Sequence, residues 1–385
     1  MNAPDVFAEL VGQDEAQRVL ADAARGTGMT HAWLFTGPPG SGRSTAAVAF
    51  AAALQCPDGG CGECHSCRTA LAGTHADVTR VIPEGLTLGV DQVRRLILEA
   101  SRAPTSGHWQ ILIVEDADRL TEAAANALLK AVEEPPERTV FLLCAPSTNP
   151  AEISVTIRSR CRVMALRQPP AGAIADLLVA RDGLDRREAE LYAAAAQGHV
   201  GRAKRLATDP DARAKRHDVL QIPRRLTGLG ACFTAAVEII EAAEAEAAGT
   251  YTDRSAAERD ALETALGKGG TGKGATKAAR GSAAALKELE KRQKTRDTRA
   301  QRDSLDRALV DLAAFYRDAL AAGFGARVDP VHPDMADTTR AAAAKLSAES
   351  LLRRVDAILE CRRAIDANVR PRIAVEAMMT RLWQS

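Results

Sequence analysis

Aromatic side chains are scarce in this 385-residue sequence, at 3% of the total. Its cores therefore have few large anchors and must be filled by Leu, Val, Ile and a great deal of Ala, a composition that favours closely packed helices. An excess of either charge is missing too, since 51 Lys and Arg face 50 Asp and Glu for a net of +1. That balance gives no bulk case for a protein that coats nucleic acid, so any DNA contact has to come from a local patch. No stretch reaches the roughly 18 apolar residues of a membrane span. Met1 to Asp14 is acidic and lacks the apolar centre of a secretory signal. A cytoplasmic protein with no membrane partner is expected. No internal repeat is seen. What is present is a hydrophobic fraction of 46%, enough for sizeable cores, on a chain long enough for two or three domains at about 150 residues each.

The first part of the chain alternates apolar runs with helix patterns, which reads as an α/β domain with a parallel sheet over residues 1–168. Strands are expected at Ala32–Thr36, Val78–Ile82, Trp109–Glu115, Thr139–Ala145 and Val163–Leu166. Pro169-Pro170 then breaks the chain. A small Ala- and Leu-rich helical lid domain is expected at 169–210 and an all-α domain at 211–385. The latter carries an expected flexible insert at about 245–300, with its lowest complexity at Gly267–Gly281. Lys287–Arg307 follows, dense in charge. It reads as a solvated helix or a DNA-touching arm, the solvated face being the plainer reading.

After the first strand comes Gly37-Pro38-Pro39-Gly40-Ser41-Gly42-Arg43-Ser44 and then a helix-prone run. This fits G-x-x-x-x-G-[KR]-[ST] between strand and helix, the context a phosphate loop requires. Glycines let backbone N–H groups wrap a phosphate, and the helix start adds the positive end of its dipole. The usual Lys is Arg43, however, a planar fork in place of a compact point charge. P-loop ATPases of the AAA+ type carry Asp then Glu at the end of the third strand, the first organising Mg²⁺ and the second positioning water. Here the order is Glu115 then Asp116. Each carboxylate is displaced by one methylene, about 1.5 Å, and a misplacement near 1 Å can cost ~100-fold in rate. Both departures point away from ATP hydrolysis by this chain, while binding of ATP or ADP stays open.

Four of the eight cysteines, Cys56, Cys61, Cys64 and Cys67, lie within twelve residues on a glycine-rich loop. Four thiolates on a small loop suit tetrahedral Zn²⁺ with no open position, a structural site. Cys61, Cys64 and Cys67 also echo a ferredoxin-like run, but the fourth ligand lies upstream and the C-x3-C-P element is missing, so an iron–sulfur cluster is the lesser alternative, beside unliganded thiols. His65 is read as a bystander. Cys144, Cys161, Cys232 and Cys361 show no clustering and read as core or surface thiols.

Several stretches resemble one family. Leu10-Val11-Gly12-Gln13 resembles the segment that flanks the adenine pocket in AAA+ proteins. Ala124–Pro136 closely resembles the helix after the second nucleotide motif in bacterial clamp-loader subunits of DNA polymerase III. Ser159-Arg160-Cys161 matches their Ser-Arg-Cys motif, the cysteine knuckle after the P-loop helix is shared by their tau/gamma and delta-prime members, and Asn368–Leu382 resembles their closing helix. The departures at Arg43 and Glu115-Asp116 fit the delta-prime branch better than the tau/gamma motors.

The resemblance implies a subunit that supports ATP-dependent loading of a sliding clamp onto primed DNA without hydrolysing ATP itself. Tau/gamma and delta subunits are the implied partners, meeting this chain through a C-terminal collar. Arg160 is implied to project into a neighbouring tau/gamma site as an arginine finger. Thr148 or Asn149 is placed like a sensor of the γ-phosphate, and Arg202 like a second sensor; each also fits an ordinary loop or cap role. Two other functions compete. One is an autonomous or tau/gamma-type ATPase that tolerates Arg43. The other is a zinc-dependent nucleic-acid-binding module on an inactive P-loop fold, which the near-neutral charge counts against.

Overall fold

Five of the apolar runs become strands, each within a residue of its expected ends: β1 (Ala32–Thr36), β2 (Val78–Val81), β3 (Gln110–Val114), β4 (Thr139–Ala145) and β5 (Arg162–Ala165). The computed structural model describes residues 5–265 and 275–384. All five strands pair in parallel, in the order β2-β3-β4-β1-β5. Parallel sheets need both faces covered, and β1, β3 and β4 are buried along their whole length. Alternate residues serve opposite faces. Trp33, Phe35, Ile111, Ile113, Leu142 and Cys144 pack on the side of helices α1 (Asp14–Ala24) and α2 (Arg43–Gln55). Leu34, Leu112, Val114, Phe141 and Leu143 pack on the side of α4 (Val90–Ala100), α5 (Glu122–Glu133) and α6 (Val155–Arg160). A short α3 (His65–Leu71) follows α2.

Helices α7 (Ala171–Asp182), α8 (Arg186–Ala195) and α9 (Val200–Thr208) come next and share a small core of their own around Ile174, Leu178, Ala189 and Ala193. The chain divides into two compact units, Met1–Thr208 and Asp209–Ser385. In the first, buried Asp77 ties down the entry to β3: its carboxylate accepts from the backbone N–H groups of Thr105, Ser106 and Gly107 and from the two hydroxyls. Burial would raise its pKa, yet these donors outweigh burial and hold it below the usual carboxylate range.

The second unit is all helix: α10 (Pro210–Arg225), α11 (Leu229–Ala265), α12 (Ala275–Gly323), α13 (Ala336–Lys345), α14 (Ala348–Asp366) and α15 (Pro371–Gln384). Its core gathers Leu220, Ile239, Leu309, Phe315, Tyr316, Ile358 and Met379 from these helices. The insert expected to be flexible at about 245–300 is helical wherever it is described, as the ends of α11 and the start of α12. Residues 267–274 of the low-complexity stretch lie outside the described residues. Good helix formers explain the correction, aided by i,i+4 pairs such as Arg254–Glu258 at 2.8 Å. Across the antiparallel pair, Arg296 donates to both oxygens of Glu258 at 2.9 and 3.0 Å and stacks 4.9 Å above the Tyr251 ring. Those bonds from Arg296 bring the Glu258 pKa down to about 2.

His332 is expected to make this unit sensitive to acid. It is fully buried, its Nδ1 accepts from Arg216 at 2.9 Å, and its Nε2 donates to the Asp311 carbonyl at 3.1 Å. Arg216 also clasps Asp334, while Asp318 accepts from the Val331 and His332 N–H groups. An arginine cannot accept, so a proton on Nδ1 would face another donor. Burial first, then the Arg216 charge, lower the His332 pKa against the opposing pull of Asp311 and Asp318. A depressed histidine pKa means that the fold holds the neutral ring. Its stabilisation is complete above the unfolded pKa of about 6.5 and is lost as pH falls toward the folded value. The melting midpoint is therefore expected to drop as pH falls below about 6.5, and His332→Gln is expected to flatten that slope; equal slopes in both proteins would refute it.

Candidate functional site

The loop between β1 and α2 has the backbone that its glycines allow. Gly37, Gly40 and Gly42 have φ of 155°, 84° and 90°, and Gly42 is the N-cap of α2 without offering a side-chain acceptor. The Gly37 N–H donates to the Pro146 carbonyl beyond β4 at 3.1 Å. At the start of α2 the Ser44 hydroxyl donates to Glu115 Oε2 at 2.7 Å, joining the loop to the end of β3. The other carboxylate oxygen of Glu115 is ion-paired with Arg80 of β2. Asp116 follows with a left-handed backbone, φ 48°, and lies 3.9 Å from Arg119.

Two polar atoms at this loop are buried without a partner, Ser41 Oγ and Arg43 Nη1. A buried donor with nothing to bind is costly. Both are of the kind that satisfies an anion, so the loop fits a phosphate. A divalent cation fits less well, because Ser44 and Glu115, the groups expected to serve it, are bonded to each other and to Arg80. Burial, reinforced by the Asp116 charge, raises the pKa of nearby Asp118, and Arg43 opposes that shift.

Of the residues singled out in the sequence, the structure thus brings together Gly37, Gly40, Gly42, Arg43, Ser44 and Glu115, with Asp116 beside them. Thr148 lies two residues beyond the loop's contact at Pro146, its carbonyl 3.4 Å from Arg158 Nη1. Asn149 caps its own turn, accepting from the Ala151 N–H at 3.1 Å. The Arg202 N–H donates to His199 Nδ1 at 3.2 Å on α9. Arg160 is held elsewhere, at the C-terminal end of α6, where it pairs with Glu133 of α5 at 2.5 Å and donates to the Thr156 carbonyl at 3.0 Å.

Two residues had no assigned role in the sequence reading, Arg80 and His199, and a third, Gln13, was noted only as part of the Leu10–Gln13 stretch. Arg80 reaches Glu115 only because β2 and β3 are neighbours in the sheet. Gln13 is 6% exposed and bridges the phosphate loop to the exit of β5, donating to the carbonyls of Ser41 (3.3 Å) and Arg167 (2.5 Å) and accepting from the Arg167 N–H. His199 lies against the crest of the loop: a Cβ at Gly40 would come within 2.6 Å of its Cα. Gly40 is thus required by that approach as well as by its positive φ. Only the Leu10–Gln13 stretch gave a signal in sequence.

The four clustered cysteines converge between α2 and α3, with ligand atoms all within 4.8 Å of one another. The Cys56–Cys61 and Cys56–Cys64 sulfurs are 3.6 and 3.8 Å apart. A tetrahedron with metal–sulfur bonds of about 2.3 Å has edges of ~3.8 Å, so these spacings fit a four-thiolate metal site. Backbone N–H groups of Cys61, Cys64 and Cys67 donate to the sulfurs of Cys56, Cys61 and Cys64 at 3.4 Å. Such donors favour thiolates and steady the ligands. Burial would raise the Cys56 thiol, but the backbone donors, with Cys61 foremost, bring it down to about 7; burial pushes Cys67 up.

Two stretches match known families: residues 12–170 match DNA polymerase III, delta subunit, and residues 286–384 match DNA polymerase III, delta subunit, C terminal. The DNA polymerase III subunit delta' of Yersinia pestis is 40% identical over 167 residues, which are 42% of this chain and 45% of that protein. Its counterpart from Bacillus subtilis (strain 168) is 32% identical over 44% of this chain and 52% of its own length. The subunit tau of Bacillus subtilis (strain 168) is 36% identical over 41% of this chain and 28% of its own length. The matched segment therefore spans about half, or less, of these relatives. Among the described residues no helix is long and apolar enough to cross a membrane.

Proposed function

Because the chain belongs to the DNA polymerase III clamp-loader family of delta-prime and tau/gamma subunits, we propose that it is the delta-prime-type member of a clamp loader. In this reading it supports ATP-dependent loading of the sliding clamp onto primed DNA in the cytoplasm, together with tau/gamma and delta subunits, without turning over ATP itself. The observation that carries it is the closed cluster Ser44–Glu115–Arg80 beside Arg43. A hydrolytic site needs a lysine-sized charge on the phosphates and a carboxylate free to organise Mg²⁺. Here the carboxylate is engaged by a hydroxyl and a guanidinium, and the lysine is replaced by a larger fork.

Arg160 is proposed to complete the ATP site of a neighbouring subunit. It sits at the C-terminal end of α6, where a cation is favoured by the helix dipole. Its pairing with Glu133 leaves both side chains 37% exposed. A pair that open to solvent is worth about 0–1 kcal/mol, so Arg160 gives it up at little cost when a phosphate is offered. Thr148 and Arg202 stay as proposed sensor positions. Zn²⁺ is proposed as the resident of the cysteine site, in a structural role.

The test is ATP turnover by the purified chain, alone and with tau/gamma and delta partners on primed DNA. Background turnover alone, with a rise in partner ATPase when the chain is added, is expected. Robust turnover by the chain alone would favour the alternative of an autonomous or tau/gamma-type ATPase.

A further inference from the structure

Phosphate loops that use Mg²⁺ keep two groups for it, the hydroxyl at the start of the loop helix and the carboxylate after the neighbouring strand. In this chain both are spoken for. Ser44 Oγ donates to Glu115 Oε2 at 2.7 Å, and Arg80 pairs with Glu115 Oε1. The Arg80 pairing is built into the sheet. Arg80 lies opposite Ile113 in the parallel ladder, and the Glu115 N–H donates to the Val81 carbonyl at 2.9 Å. Side chains two apart on a strand share a face, so Ile113 and Glu115 point the same way and Arg80 stands diagonally beside the carboxylate. The Glu115 side chain is only 12% exposed. Water therefore does little to offset its charge, and the guanidinium does that work.

The loop side shows the opposite need. Ser41 is 1% exposed, and its Oγ has no partner. That hydroxyl lies inside the loop, since a Cβ at Gly37 would come within 2.5 Å of it. Arg43 Nη1 is buried without a partner as well. A cation and a hydroxyl donor thus remain for an anion, while the carboxylate that would hold a metal is already neutralised. For a divalent ion to enter, it must break two contacts to Glu115 and sit beside a guanidinium.

We infer that this phosphate loop takes the phosphates of a nucleoside diphosphate without a divalent cation, Arg80 providing at Glu115 the positive charge that Mg²⁺ provides in hydrolytic loops. The inference rests on the reading of the chain as a non-hydrolysing subunit and gives that reading a cause, since a loop that binds without metal lacks the ion that draws charge off a leaving phosphate.

The test is calorimetric titration of the full chain with ADP, in EDTA and in Mg²⁺ at equal ionic strength, paired with Mn²⁺ paramagnetic resonance. Wild-type affinity is expected to be no higher in Mg²⁺ than in EDTA, lower only by the share of ADP that the cation holds in solution, with no Mn²⁺ on the protein beyond what ADP alone retains in a protein-free control. Arg80→Gln leaves Glu115 uncompensated. It is expected to bind ADP at least ~10-fold more weakly in EDTA, to recover with Mg²⁺, and to retain Mn²⁺. Arg43→Ala is expected to weaken ADP in both buffers. A wild-type affinity that climbs tenfold or more with Mg²⁺ would overturn the inference, as would absence of ADP binding in EDTA or an Arg80→Gln protein indistinguishable from wild type. None of those outcomes touches the clamp-loader reading, which fails separately if the chain leaves partner ATPase unchanged.

Discussion

Arg160→Ala in a reconstituted clamp loader is expected to cut ATP turnover at the neighbouring site that Arg160 is proposed to complete by about 10³-fold or more, the range for loss of an arginine finger. The folded chain itself should hardly notice. Among the described residues Arg160 donates to the Thr156 carbonyl, the Ser159 hydroxyl and the partly exposed Glu133 carboxylate, and contacts of that kind contribute within about 1 kcal/mol. The contrast between a large rate effect and a small stability effect separates a finger from a structural ion pair. Arg160→Lys should recover little, because an ammonium lacks the planar fork that spans two oxygens. Glu133→Ala offers an internal control, since it removes the intrachain partner and leaves Arg160 available. Its ATPase should match or exceed wild type. DNA-stimulated phosphate release and clamp loading are the measurements; wild-type rates in Arg160→Ala would sink the trans role.

The second large effect concerns the cysteine site. Cys64→Ser is expected to yield protein without bound metal, and wild type is expected to carry about one Zn²⁺ per chain, with elemental analysis as the measurement. Structural zinc in small peptides is worth roughly 10–16 kcal/mol, so the knuckle should open and become a site of proteolysis. The damage should spread beyond the loop. Cys56 and Cys67 belong to the core on the α1–α2 face of the sheet, Cys67 with no exposure at all. Cys64 also caps α3, accepting from the Cys67 N–H. Chelation of wild type should reproduce the loss, and added Zn²⁺ should reverse it. Iron with visible charge-transfer bands would replace zinc by a cluster. A metal-free wild type as stable as the metal-loaded form would remove the site altogether.

The strands and the glycine-rich loop between β1 and α2 could be read from sequence because their signals are local. Runs such as Ala32–Thr36 and Thr139–Ala145 are apolar on both faces, which only a covered parallel strand tolerates. The four cysteines were legible for the same reason, their spacing being short enough to close a ring without help from the rest of the fold. Arg80 was not legible. Its partnership with Glu115 depends on which strand lies next to β3 and in what register, and nothing in the sequence around Val78–Val81 records that. His199 over Gly40 was hidden likewise, since it joins residues far apart in the chain. The misreading at 245–300 has a different cause. Glycine and lysine near 267–273 suggested a loop, and that impression was extended over flanking segments whose Ala, Glu and Arg content favours helix.

The strand order has a consequence for synthesis. β1 has β4 and β5 as its neighbours, and these begin at Thr139 and Arg162, about a hundred residues after Thr36. At a ribosomal pace of ~5–20 residues per second, β1 waits roughly 5–20 s for its first partner. During that wait Trp33 and Phe35, both wholly buried at the end, have no strand beside them. The cysteine ring closes over Cys56 to Cys67 and needs no later residue for its ligands. Metal capture can thus fix the far end of α2 against α3 while the sheet is still unmade, giving the nascent domain a first rigid corner on which the late strands assemble.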